Sequence, residues 1–356
     1  MPNPHIDTLI LGGSGYGGGE LYRWLLQHPQ VCSIAGVAQR QAGREVAAVH
    51  PHLRGLVNGT FQSEPDWAAL AESECPVLFA ALPHGEFGRL YSGYAEQWKA
   101  HDLSDRLLVV DLSGDFRLRD PATFEKAYGG AHPCPQFLPD FEYGLTDWQP
   151  DRLRTSKRIA NPGCFATALN LGLLWLANLP EAKRPDSVAI SAITGSSGSG
   201  AGASDTTHHP TRAHDFRAYK PLAHQHRFEV TAALDRAGWQ APFTLVTHSA
   251  PLVRGIYATL QFDARNCTAA DMDNAFEQAY ASARGIRRTP AAPRLAAVSG
   301  SNFVDLSCAL ADGHGAIMVA LDNLGKGMAG QAVQNMNLAT GLVADCGLRA
   351  AAVYPG

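Results

Sequence analysis

The chain has 356 residues, 46% of them hydrophobic and 17% charged, with a formal net charge of −4. That length exceeds one ordinary domain and fits two, and the composition is globular rather than disordered. The mildly acidic balance gives no overall field for nucleic acid, and no apolar run approaches the roughly 20 residues of a membrane span.

Met1–Asp7 lacks the basic start and apolar core of a signal peptide. Seven cysteines, at 32, 75, 134, 164, 267, 308 and 346, form no C-x-x-C pair. A reducing, cytoplasmic setting is therefore expected, and stapled disulfides are not. All but Cys164 are expected to be core or incidental, with Cys32 and Cys308 acting as small hydrophobes in strand-like segments.

The first predicted element is a strand over Ile6–Leu11. It runs into Gly12-Gly13-Ser14-Gly15-Tyr16-Gly17-Gly18-Gly19 and then a helix with Leu21, Leu25 and Leu26 on its apolar side. Gly12, Gly15 and Gly18 give G-x-x-G-x-x-G between strand and helix. Backbone amides and a helix N-terminus there suit a pyrophosphate, so residues 12 and 14–18 are candidate cofactor contacts. A bland glycine-rich turn is the alternative. A second strand, Ser33–Ala38, ends at Gln39-Arg40, where an NAD site commonly carries an acid. A guanidinium at Arg40 matches a 2′-phosphate and favours NADP(H); a solvated arginine is the alternative.

Strands over Val77–Leu82 and Leu107–Leu112 follow, and Pro83, a candidate cofactor contact, opens a helical stretch between them. The second strand ends in Ser113-Gly114-Asp115-Phe116-Arg117. Carboxyl ends of parallel strands line the ligand crevice in such sheets. Ser113 and Arg117 are therefore candidates for substrate, against a salt bridge from Arg117 to Asp115 or Asp120.

Asn161-Pro162-Gly163-Cys164 is a tight turn into an apolar helical stretch, Phe165–Leu176. The thiol lies near a helix N-terminus, whose partial positive charge favours thiolate. Cys164 is the candidate nucleophile. Beyond it, a strand over Ser187–Thr194 enters Gly195–Gly202, read as a ligand-approach loop rather than a linker, with Ser197 and Gly198 as candidate cofactor contacts. The segment 208–227 is rich in histidine and cations. Adjacent His208-His209 and the i, i+2 pair His224/His226 lack metal-ligand spacing, so no metal is expected. An imidazole is, however, the natural proton donor and acceptor for a thioester mechanism.

Strands at Phe243–His248 and Ile256–Phe262 flank Pro251–Gly255. A helix over Ala269–Ala283, strands over Phe303–Ala309 and Ile317–Leu321, and a last helix over Met328–Leu342 complete the chain. Arg117, Lys220 and Arg254 are unranked candidates for phosphate or carboxylate. The expected fold is α/β: a Rossmann-type domain (1–163 and 326–356) and a second domain with a mixed sheet (164–325).

These motifs, in this order, resemble the N-acetyl-γ-glutamyl-phosphate reductase family within the semialdehyde dehydrogenase group. The likeness rests on residues 12–18, 81–85, 111–118, 161–164, 195–202, 224–226, 251–255 and 322–327. It implies Cys164 as nucleophile, His224 as acid/base group, Asn323 as a cofactor contact, and Asn161 and His226 beside the substrate. It further implies bound NADP(H), an acyl-phosphate substrate, and a homodimer or homotetramer. Phe165-Ala166-Thr167 stands where many members have Tyr-Pro-Thr. Residues 208–221 look more like relatives whose amino-acid substrate rides on a small acidic carrier protein. Arg212, Arg217, Lys220 and Arg227 would form a basic face for that partner. A redox sensor that binds NADP(H) without catalysis is the rival of another class.

Overall fold

The computed structural model describes residues 4–240 and 242–354. Chain contacts divide it into two units. The first comprises Met1–Pro162 and Met328–Arg349, the second Gly163–Gly327 and Ala350–Gly356. Gly163, Lys326, Gly327 and the segment from Ala350 thus go with the second unit, whereas the sequence assigns them to the first. For Gly163 the reason is its amide, which donates to Glu229 Oε2 at 2.9 Å. Gly327 lies against Cys164, where an added Cβ would come within 2.9 Å of the cysteine Cβ.

In the first unit six strands form a parallel sheet: β1 (Ile6–Leu11), β2 (Val31–Val37), β3 (Cys75–Ala80), β4 (Leu108–Asp111), β5 (Glu142–Tyr143) and β6 (Arg158–Ala160). Their order is β2-β1-β3-β4-β6-β5. Strands β3 and β4 are nearly continuous apolar runs and are buried, as a parallel sheet covered on both faces requires. The order reverses between β1 and β3, so their carboxyl ends flank a ligand crevice. Gly12 stands there with φ +75°, and a Cβ on it would meet Ala81 O at 2.4 Å. Only glycine satisfies both demands.

The expected last helix spans Gly330–Ala339, after a wide turn at Gly325–Ala329. Ala332, Val333 and Met336 are fully buried as expected, but so are Gln331, Asn335 and Asn337. Gln331 Nε2 donates to Gly144 O and Thr146 Oγ1, both at 2.8 Å. Asn335 Nδ2 donates to Asn161 Oδ1 at 3.0 Å.

The second unit carries β7 (Val188–Thr194), β8 (Arg217–Tyr219), β9 (Phe243–Ser249), β10 (Ile256–Asp263), β11 (Ile286–Arg288), β12 (Val304–Ala311) and β13 (His314–Leu321). They form one mixed sheet in the order β11-β12-β13-β10-β7-β9-β8. The helix Cys164–Ala177 is buried at every position after its first. Gly172 brings it close: a Cβ there would fall 2.8 Å from Leu260 on β10. Strand β8 and the helix His226–Arg236 are not anticipated by the sequence. The first is three residues long, and the second mixes charge with apolar residues in no clear period. Cys32 is exposed on β2 rather than a core residue.

Gly12→Ala should destabilise the protein by about 2 kcal/mol or more, through a forced left-handed alanine and the clash with Ala81. A urea titration should show a lower midpoint with unchanged slope, and an unchanged midpoint would contradict the packing described.

Candidate active site

Within the first unit the candidate residues share one end of the sheet. Gly12 follows β1, Arg40 follows β2, Pro83 follows β3, Ser113 and Arg117 follow β4, and Asn161 follows β6. Gly15 is the N-cap of the helix Tyr16–Leu25, whose first turn holds no acidic residue and whose cap makes no side-chain hydrogen bond. First-turn amides have no acceptor inside a helix, so this end is suited to an anion. A Cβ on Gly18 would stand 2.4 Å from Gly13 O, which ties the helix to the loop. Arg40 is exposed. These residues fit a dinucleotide.

Arg117 is tied to backbone carbonyls of the crevice. Its Nε donates to Asn161 O at 2.8 Å and its Nη2 to Leu112 O at 3.2 Å. Asp120 instead caps the helix Pro121–Tyr128 through Thr123 N at 2.9 Å. Asp115 receives Gly85 N, Gly88 N and His84 Nδ1 at 2.7–2.8 Å. Ser113 Oγ donates to Asp111 Oδ1 at 2.5 Å. Burial, with Asp115 nearby, pushes the Asp111 carboxyl up to about 6. Both ends of the Asn161 amide are engaged, Nδ2 on Met328 O at 3.1 Å and Oδ1 by Asn335. That residue holds the loop after β6.

In the second unit Cys164 opens a helix of 14 residues, with Gly163 as its N-cap. The thiol residue is partly exposed while the rest of the helix is buried. Helix geometry therefore presents Sγ at the positive end of an aligned peptide stack. Gly163 is fixed from two sides. Glu229, wholly buried, takes its amide proton. The His226 ring lies where a Cβ would be, 2.5 Å from Nε2. His226 Nε2 in turn stands 3.8 Å from Glu229 Oε1.

His224 is buried beside Phe165, Tyr219 and His226, with ring centroids at 5.2, 5.8 and 4.6 Å. Its Nδ1 accepts the His226 amide at 3.2 Å. The neutral ring therefore carries its proton on Nε2 and is a donor there. Burial, then His226 and Lys220, pull its pKa down to about 3, against the opposing pull of Glu229.

The other candidates are bound into the scaffold. Arg254 forms a two-pronged pair with buried Asp322, at 2.8 and 3.0 Å. Asn323 accepts Gly255 N at 2.6 Å and donates to Ser197 Oγ at 3.0 Å, fixing the Gly195–Ser199 turn. Gly198 lies beside that amide: a Cβ on it would stand 3.9 Å from Asn323 Nδ2. Lys220, exposed and at φ +45°, reaches Gln225 Oε1 at 3.0 Å. Of the four cations read as a basic face, Arg212 is buried. Sequence reading did not find Glu229, Tyr219 or Asp322. Asp322 lay in the 322–327 motif without a role of its own, and Glu229 carried a weaker signal, a carboxylate one helical turn after His226.

Residues 7–156 match the family model "Semialdehyde dehydrogenase, NAD binding domain", and residues 164–323 match "Semialdehyde dehydrogenase, dimerisation domain". The chain belongs to the semialdehyde dehydrogenase family. It is similar to N-acetyl-gamma-glutamyl-phosphate reductase of Laribacter hongkongensis, 38% identical over 98% of this chain and all of the relative. It is also similar to [LysW]-L-2-aminoadipate 6-phosphate reductase of Deinococcus radiodurans, 37% identical with both chains covered in full. Among solved structures, aspartate semialdehyde dehydrogenase of Candida albicans with NADP has a TM-score of 0.65 at 15% identity, covering 94% of this chain and 98% of that one. That likeness shows the two-domain α/β fold of a semialdehyde dehydrogenase. Among the described residues no cluster of potential metal ligands occurs, and no helix is long and apolar enough to cross a membrane.

Glu229→Ala leaves the Gly163 amide without its acceptor. A loss of about 1–3 kcal/mol is expected in urea unfolding, largely restored in Glu229→Gln, which keeps an accepting oxygen. Equal losses in both variants would count against this hydrogen bond. For His224, a folded pKa near 3 below an unfolded value near 6.5 means the unfolded chain binds the proton first. Its stabilising effect is complete above pH 6.5 and is lost as pH falls from there toward 3. Ring-proton NMR should show no His224 titration between pH 5 and 8; a midpoint in that interval contradicts this environment.

Proposed function

We propose that this semialdehyde dehydrogenase family member reduces N-acetyl-γ-glutamyl phosphate to N-acetylglutamate 5-semialdehyde and phosphate, using NADPH and a thioester on Cys164. The observation that carries this reading is the partly exposed thiol at the head of a buried helix, with its turn held by Glu229 and a neutral His224 in the same unit. Arg40, exposed at the end of β2 where no acid stands, supports NADP(H) over NAD(H). The first-turn amides after Gly15 would hold the pyrophosphate.

Cys164 attacks the acyl carbon as thiolate; a C–S bond forms, the C–O bond to phosphate breaks, and phosphate leaves with the electron pair. NADPH, when bound, supplies hydride to the thioester carbon. His224 Nε2–H donates a hydrogen bond to the oxygen that becomes an alkoxide. As that oxygen re-forms its carbonyl, the C–S bond breaks and Cys164 returns as thiolate. No net proton is needed from the imidazole, which suits a group that stays neutral.

A second reading is reduction of an aminoadipyl or glutamyl phosphate attached to a small acidic carrier protein. Phe165-Ala166-Thr167 after the nucleophile, and exposed Phe216 and Leu222 among the cations of residues 217–227 in the sequence, favour it. Seven free cysteines suit a reducing cytoplasm. The accessible face of the second sheet carries small side chains, Ala189, Ala309 and Ala316 beside Gln261, and such a surface suits a homodimer.

The test runs the reaction in reverse, with NADP+, phosphate and either free N-acetylglutamate semialdehyde or carrier-bound aldehydes. Phosphate-dependent NADP+ reduction by the free aldehyde supports the first reading, and activity with carrier-bound aldehyde alone supports the second. Cys164→Ser should lower turnover by about a thousandfold or more in either case. Near-normal turnover in that variant refutes the thioester.

A further inference from the structure

Arg212 ends a short helical turn, His209–Arg212, in the segment between β7 and β8. Its side chain is not on the surface with the neighbouring cations; the residue retains only 9% of its accessible area. A buried guanidinium requires an anionic partner, because removal of the charge from water is costly unless it is paired. Arg212 has none among the described residues. Its one hydrogen bond is a long contact, Nη2 to Thr194 O at 3.5 Å. Its buried Nε makes no hydrogen bond at all. Asp215, the acid nearest in sequence, is taken by Arg217 in a close ion pair. Burial, then the like charge of Arg217, disfavour the charged form, and Asp215 and Tyr219 offset this only in part and without a hydrogen bond to the guanidinium.

The place of this unpaired cation decides what it is for. Thr194 is the last residue of β7, and the Gly195–Ser199 turn held by Asn323 begins at once after it. Tyr219 feels both Arg212 and Cys164 electrostatically, and its ring lies 5.8 Å from that of His224. The guanidinium therefore belongs to the neighbourhood of the thiol and imidazole, on the side marked by Tyr219. We propose that Arg212 is an anion-binding residue of this site, its Nε and Nη groups receiving a carboxylate or phosphoryl oxygen of the substrate. This rests on the acyl-phosphate substrate proposed above, which carries both kinds of oxyanion. The guanidinium fork suits either one.

The experiment measures binding rather than turnover, so that its failure is separate from failure of the proposed reaction. Inorganic phosphate and N-acetylglutamate, which has carboxylates alone, are titrated calorimetrically into the wild-type protein, Arg212→Lys and Arg212→Met. NADPH affinity is measured alongside as the control on folding. In Arg212→Met one of the two ligands should bind about tenfold or more weakly, the size expected for losing a charged hydrogen bond, with NADPH unaffected. Arg212→Lys should lie between. Loss of phosphate binding identifies the phosphoryl group as the partner, and loss of N-acetylglutamate binding identifies the carboxylate. Three outcomes overturn the inference: a wild-type protein that binds neither ligand, an Arg212→Met variant that binds both normally, or a fall in NADPH affinity together with both ligands. Reverse turnover by the wild-type protein bears on the proposed reaction alone.

Discussion

One hydrogen bond orders the chemistry of this protein: the carboxylate of Glu229 holding the amide of Gly163. A charged acceptor in a buried place is costly unless its lone pairs are used, and here the backbone just before the nucleophile uses one. The bond joins the start of the Cys164 helix to the His226–Arg236 helix. The thiol and the His-x-His segment are thereby held by one side chain. Gly163 completes the arrangement, since any larger residue would displace the imidazole of His226.

A second set of buried polar contacts frames the same region. Asp322 receives Arg254 and the amides of Gly300, Leu324 and Gly325, so one carboxylate organises three loops. Asn323 extends that order to the Gly195–Ser199 turn. Fully satisfied networks of this kind specify one geometry, whereas an apolar core of equal volume would tolerate several. The glycines of that turn then supply approach without bulk.

Much of this was legible in the residues themselves. Ile6–Leu11 has the bounds of β1, because a short apolar run closed by glycines leaves little ambiguity. The apolar stretch after Cys164 declared its helix, and the glycine spacing declared the nucleotide loop. Strand β8 and the His226–Arg236 helix were not legible, since their stability comes from partners distant in sequence rather than from local pattern. The roles of Arg254 and Arg212 were hidden for the same reason. Arginines in connecting segments look alike until it is known which carboxylate each one meets. Arg254 meets Asp322, and Arg212 is paired with none among the described residues.

The helix Gly330–Ala339 closes the first unit, its Gln331 amide aimed at a backbone carbonyl, yet it is made after Gly163–Gly327, the main segment of the second unit. A ribosome therefore releases that inserted segment before the surrounding unit can finish. Until the final helix arrives, the loops at Gly144 and Asn161 lack their donors. Domains usually mature in the order of their synthesis. Here the order is nested, and the outer unit waits for the inner one.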